Sequence, residues 1–73
     1  MTIDIQLART IDAPAVLTLL EEYGMHGTVC DGGSRVEVVG ASGEVGHALD
    51  ASLLPLRPMR LDAQTYALVP PIA

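Results

Sequence analysis

Neither phenylalanine nor tryptophan occurs in this sequence, and tyrosine occurs only twice, at Tyr23 and Tyr66. A core must therefore be assembled from leucine, valine, isoleucine, methionine and alanine, and no set of sheet aromatics is present on which bases could stack. Positive charge is scarce as well, with four basic residues against nine acidic ones and a formal net charge of -5. A phosphate backbone demands a cationic stripe, so nucleic acid is excluded as an expected partner. Cys30 is the single cysteine, which rules out an intrachain disulfide framework and suits a reducing compartment. No apolar run approaches the roughly 20 residues of a membrane span. The start, Met1-Thr2-Ile3-Asp4-Ile5-Gln6, has neither the basic nor the apolar region of a signal peptide. The expectation is a cytoplasmic protein with no membrane partner. Its 73 residues allow one domain, 1-73, near the lower size at which a single core suffices, so stability is modest unless the chain associates.

What the chain does contain is a turn signal at its centre. Asp31-Gly32-Gly33-Ser34 sets glycines, which reach positive φ freely, between two runs rich in β-branched residues, and so predicts a hairpin over Met25 to Gly40. An even-length loop pairs Val29 with Ser34 or with Val36. Either register puts Met25, Gly27, Val29, Val36 and Val38 on one face and His26, Thr28, Cys30, Arg35, Glu37 and Val39 on the other. An odd loop would mix the two sets. One face of the hairpin is thus core and the other is wet.

On either side of the hairpin the pattern gives one strand and one helix. Thr2 to Arg9 alternates, with Ile3, Ile5 and Leu7 opposed to Asp4, Gln6 and Ala8. Asp12 before Ala13-Pro14 reads as an N-cap with proline in the first turn, opening a helix to about Tyr23 that closes at Gly24. Its buried face is Val16, Leu17 and Leu20, with Ala13 and Tyr23. Ser42, followed by Glu44 and Val45, opens a second helix whose buried stripe is Val45, Ala48, Leu49, Ser52 and Leu53, ended by Pro55. Gly43 and Gly46 each cost that helix about 1 kcal/mol relative to alanine, so packing must hold it, and Gly46 permits close approach to a sheet. Residues 56–64, with Pro58 and two of the four basic residues, read as an extended loop. Thr65 to Val69 is a last strand with Tyr66 and Leu68 inward, stopped by Pro70-Pro71. The order strand, helix, hairpin, helix, strand predicts an α+β fold. Its form is the ferredoxin-like split βαββαβ plan, a four-stranded antiparallel sheet of order 4-1-3-2 with two helices on one face.

Candidate chemistry is sparse. His26 and Cys30 share a strand face but sit about 13 Å apart at the strand rise of roughly 3.3 Å per residue, too far to chelate one ion. His47, on the second helix, belongs to the other side of the sheet, so no metal site is expected. A nucleophilic Cys30 would need a neighbouring base, and its cross-strand neighbour is Arg35 or Gly33. Gly40-Ala41-Ser42-Gly43 leads from a strand into a helix but lacks the P-loop lysine, and reads as a connecting turn with a serine cap. The carboxylates are dispersed, with no paired acid and base. No catalytic residue and no cofactor is expected, and the chain does not read as an enzyme.

One stretch carries a resemblance. Ile11-Asp12-Ala13-Pro14-Ala15-Val16-Leu17-Thr18-Leu19-Leu20, then Tyr23-Gly24-Met25, resembles the opening of ACT-type regulatory domains, where an Asp-x-Pro-Gly turn starts the first helix and an amino acid binds beside it. It covers the first third of the chain. Ala15 stands where that turn has glycine, and the helix is about one turn short. The resemblance implies an amino-acid site at Asp12, Ala13 and Ala15, at a dimer interface.

The leading expectation is a small acidic, non-catalytic interaction or regulatory module that works through a sheet edge or the polar sheet face. The edge is Met25 to Cys30, and the contact residues are His26, Thr28, Cys30, Arg35 and Glu37. Its partner is a protein or a second copy in a homodimer. The alternatives are the ACT-like ligand sensor and an acidic inhibitor that fills a basic groove through Asp4, Glu21, Glu22 and Glu37.

Overall fold

The computed structural model describes residues 2–52 and 54–70. Its elements are β1 (Thr2–Leu7), a 3-10 turn (Thr10–Asp12), α1 (Ala13–Glu22), β2 (Gly27–Cys30), β3 (Arg35–Val39), α2 (Ser42–Asp50), β4 (Arg57–Asp62) and β5 (Thr65–Val69). The strands form one five-stranded mixed sheet of order β2-β3-β1-β5-β4. This remains an α+β fold, but it corrects the four-stranded antiparallel plan of order 4-1-3-2.

The extra strand is β4, which occupies most of the segment expected to be a loop. Its chain alternation is poor because nearly every residue in it is exposed, so no apolar face marks it. Its effect on topology is large. The chain leaves α2 for the far edge of the sheet, then turns at Ala63-Gln64 and returns as β5 into the slot between β4 and β1. That return reverses the last strand, so β5 runs parallel to β1 and antiparallel to β4. Asp62 fixes the turn by accepting the Gln64 N–H at 2.8 Å on Oδ1.

The other half of the sheet follows the sequence closely. β2 and β3 pair with Val29 opposite Val36 and Cys30 opposite Arg35, one of the two even registers. Gly32 and Gly33 take φ of 70° and 106° in the turn, where a Cβ would be strained. β1 pairs antiparallel with β3, setting Ile5 opposite Val36 and Ile3 opposite Val38. Both helices pack on one face, over a core of Ile3, Ile5, Leu7, Val16, Leu19, Leu20, Val36, Val38, Val45, Leu49, Tyr66 and Leu68 with smaller neighbours.

Helix details depart from the expected caps. Asp12 makes no side-chain cap to α1; its carboxylate instead takes two hydrogen bonds from the Arg9 guanidinium, at 3.0 and 3.2 Å. Leu19 is buried where Tyr23 was expected, and Tyr23 is exposed. Ala41, not Ser42, holds the N-cap position of α2. The Ser42 hydroxyl lies 3.3 Å from Tyr66 Oη, and that phenol donates to the Ser42 carbonyl at 3.0 Å. Gly46 makes this possible, since a Cβ there would lie 2.6 Å from Tyr66 Oη. The close approach expected of Gly46 is therefore observed, with the phenol of β5 as the neighbour. Leu53 and Pro71, expected in the helix stripe and as a strand stop, lie outside the described residues.

Candidate functional site

The sequence-derived contact residues gather on the sheet face that no helix covers, and around the β2 edge. From the register, Thr28 and Cys30 of β2, Arg35 and Glu37 of β3, and Asp4 and Gln6 of β1 share that open face. His26 is exposed in the connection leading into β2. Cys30 is half-buried, and its thiol donates to the Thr28 carbonyl at 3.6 Å.

Arg35 organises the open face. Its Nη1 donates to Asp4 Oδ1 at 2.9 Å and to Glu37 Oε1, and its Nε donates to Asp31 Oδ2 at 3.0 Å. Asp4 and Glu37 are direct cross-strand partners, an arrangement that would repel without the guanidinium between them. Glu37 first, then Asp31 and Asp4, raise the Arg35 pKa further above its already high ordinary value. One cation thus serves three carboxylates, and the cluster carries two formal negative charges in excess. Asp31 was legible only as a dispersed carboxylate and Asp4 only as a contact of the acidic alternative, because 31 residues of sequence separate Asp4 from Arg35 and the sheet register brings them together.

The backbone of the two outer strands differs in what it offers. The Leu7 N–H donates to the Ser34 carbonyl and the Asp4 N–H to the Gln64 carbonyl, both at 2.8 Å. Odd-numbered residues of β1 therefore turn their main chain toward β3, and even-numbered ones toward β5. Strand alternation carries this parity across the register. Arg35 and Glu37 face Cys30 and Thr28, which leaves the N–H and C=O of Gly27 and Val29 directed outward from the free edge of β2. On the opposite edge, Ala67 and Val69 face Met59 and Arg57, which turns Pro58 and Arg60 outward. Pro58 has no N–H to offer, and the register shift between Arg60 and Asp62 bends the strand beyond it. Arg57 and Arg60 add charge to that edge. These are the usual guards of a sheet edge, and β2 has none of them.

Val29 completes the contrast. It lies on the helix side of the sheet with Val36, yet it is 42% exposed while Val36 is fully buried, because β2 lies at the margin of the cover given by α1. That helix sits close above the start of the strand: a Cβ on Gly27 would be 2.9 Å from Leu17 Cδ2 and 3.0 Å from Leu20 Cδ1. An apolar side chain is thus exposed beside backbone groups that have no partner among the described residues.

The residues implied by the ACT resemblance are not gathered into one concavity. Asp12 is engaged by Arg9, and Ala13 is buried in the core. Ala15 borders a groove of about 510 Å³ between α1 and the segment that follows α2, with Thr18, Leu19, Glu22, Tyr23, Ala51, Ser52 and Leu54, and Asp12 is not among its walls. A smaller hollow of about 280 Å³ is lined by Tyr23, Met25, Gly43, Glu44 and His47. There the Tyr23 and His47 rings meet edge to face at 6.2 Å. His47 therefore lies on the helix side, away from Cys30. Among the described residues, no three His, Cys, Asp or Glu side chains converge to hold a metal ion, and no helix is long and apolar enough to cross a membrane. No protein-family model, curated protein or solved structure matches the chain.

Proposed function

We propose that the protein is a non-catalytic interaction module that binds an extended segment of a partner by strand addition at β2. The observation that supports this reading is the asymmetry of the two sheet edges. β4 is guarded by Pro58, a bulge and two arginines, whereas among the described residues nothing pairs with the outward main chain of Gly27 and Val29 on β2, beside an exposed Val29 side chain. Main-chain hydrogen bonds supply affinity in this mode of binding, and side chains on alternate residues supply selectivity. Thr28, Cys30, Arg35 and Glu37 lie on the open face beside the added strand, and His26 stands exposed just before it.

The test uses Val29→Pro, which removes one outward donor without touching the ladder to β3. Wild-type and variant proteins are immobilised and exposed to lysate of the source cells, after light scattering has fixed their oligomeric state. A partner retained by the wild type and lost by a folded V29P chain supports strand addition. A strictly monomeric wild type that captures nothing, or a partner held equally by both proteins, contradicts it. Val29→Lys is a milder second variant in case the proline unfolds the strand.

A further inference from the structure

Resting on that reading, we infer that the segment added at β2 is a cationic strand of another protein, alternating basic and apolar residues, and not a second copy of this chain. The sequence contains no lysine, and its four cations are Arg9, Arg35, Arg57 and Arg60. Arg57 and Arg60 lie on β4, four strand positions from β2, or about 19 Å at the usual spacing. Arg9 is paired with Asp12, and Arg35 is shared among Asp4, Asp31 and Glu37.

Around β2 itself the balance is acidic at both ends. Asp31 follows the last residue of the strand, with its side chain 65% exposed, and Glu37 stands opposite Thr28. Glu21 follows Leu17 by four residues, on the flank of α1 that meets Gly27. Among the described residues, a strand laid beside β2 therefore meets carboxylates on both faces and no free cation. Its residue next to Val29 on the helix side is best apolar, and its residues on the open face, beside Thr28 and Cys30, are best arginine or lysine.

The same charges decide against a second copy. Pairing β2 with β2 across a two-fold axis brings two acidic clusters together on chains that each carry -5. Pairing β2 with the basic β4 of another copy would match charge, but Pro58 withholds an outward donor and the bulge bends the strand away. The cationic strand must come from elsewhere.

The probes are three capped octapeptides of alternating valine with arginine, glutamine or glutamate, titrated into the isotope-labelled full chain while amide spectra are recorded. The arginine peptide is expected to shift the Gly27 to Asp31 amides. It should bind about ten-fold tighter than the glutamine peptide, the factor that ~1.4 kcal/mol from two or three exposed ion pairs gives. The advantage should fade as salt rises to about 1 M, where the screening length is about 3 Å. Asp31→Asn, on the open face, should reduce the preference while the fold is kept, and Glu21→Gln, on the helix side where the peptide presents valine, should change it less. Equal binding of all three peptides at β2 overturns the charge assignment and leaves strand addition standing. Peptides that move no β2 amide at any charge overturn strand addition itself. Dimers joined through β2 in scattering and amide-shift data overturn the assignment of the occupant to another protein.

Discussion

Gly46→Ala offers the sharpest check on how the last strand is seated. In an exposed helix interior this substitution stabilises by about 1 kcal/mol, because alanine loses less backbone entropy. Here the added Cβ would lie 2.6 Å from Tyr66 Oη and 3.3 Å from Cζ, and the nearer atom is the donor to the Ser42 carbonyl. Relieving the contact means moving α2 off β5, at about 1–3 kcal/mol for overpacking, or swinging the phenol away and losing a hydrogen bond of about 0.5–1.5 kcal/mol. Set against the helix gain, moving α2 leaves a net loss of about 0–2 kcal/mol, a fall in Tm of up to roughly 15 °C for a domain of this size, while swinging the phenol cancels the gain to within about 0.5 kcal/mol. Urea and thermal unfolding followed by circular dichroism give the value. Gly43→Ala is the control, since nothing lies within 4 Å of a Cβ at that position, and it should stabilise by up to about 1 kcal/mol. Tyr66→Phe removes the atom that is struck, so the double variant G46A/Y66F should be no less stable than Y66F alone. If G46A stabilises the chain as much as G43A does, the phenol of β5 does not sit under α2 and this part of the fold is wrong.

Three further outcomes follow from the edges and the charges. Pro58→Thr restores an outward N–H on the basic edge, so the acidic β2 edge of one molecule can pair with β4 of the next; concentration-dependent growth in light scattering is expected, and a variant that stays as monomeric as the wild type contradicts the guarding role. Arg35→Met leaves Asp4, Asp31 and Glu37 without their shared cation. Its denaturation midpoint should fall and recover in part with added salt, and a salt-independent loss would point to packing instead. The Asp62 carboxyl is held below its ordinary pKa, first by the Gln64 N–H and then by Thr65. A depressed folded-state pKa contributes stability that is present above the unfolded value of about 3.9 and is lost as pH falls through the lower folded value. Asp62→Asn should therefore flatten the acid limb of the stability profile, and an unchanged limb would remove Asp62 from the account.

The legible parts of the fold are those where burial writes a pattern. Ile3, Ile5 and Leu7 alternate because one side of β1 is covered and the other is not, and Val36 and Val38 do the same in β3. In the hairpin, parity and Gly32-Gly33 set which residues share a face and left two even registers, of which the one with Val29 opposite Val36 is formed. β4 was hidden for the same reason in reverse: an outer strand with little burial has no reason to alternate, and Pro58 is admitted because its missing N–H points to solvent. Missing that strand also misplaced the direction of β5, since Thr65 to Val69 reads the same whether it runs with or against β1. Asp12 and Ser42 stood at cap positions by residue type, but Arg9 and Tyr66 took their side chains. At the site, the wet-face residues of the hairpin were readable from alternation alone. The sharing of Arg35 with Asp4 was not: the expected order already set β1 beside β3, but the register that brings Asp4 opposite Glu37 is not written in either strand.

The central claim is that β2 is an open edge that a cationic strand completes, and amide hydrogen exchange at Val29 tests it most directly. In the free protein the Val29 amide should exchange far faster than those of Thr28 and Cys30, which bond to β3. With the valine–arginine peptide bound, its protection should rise toward theirs. A Val29 amide already protected in the free chain, or one left unchanged when the peptide binds, would contradict the account.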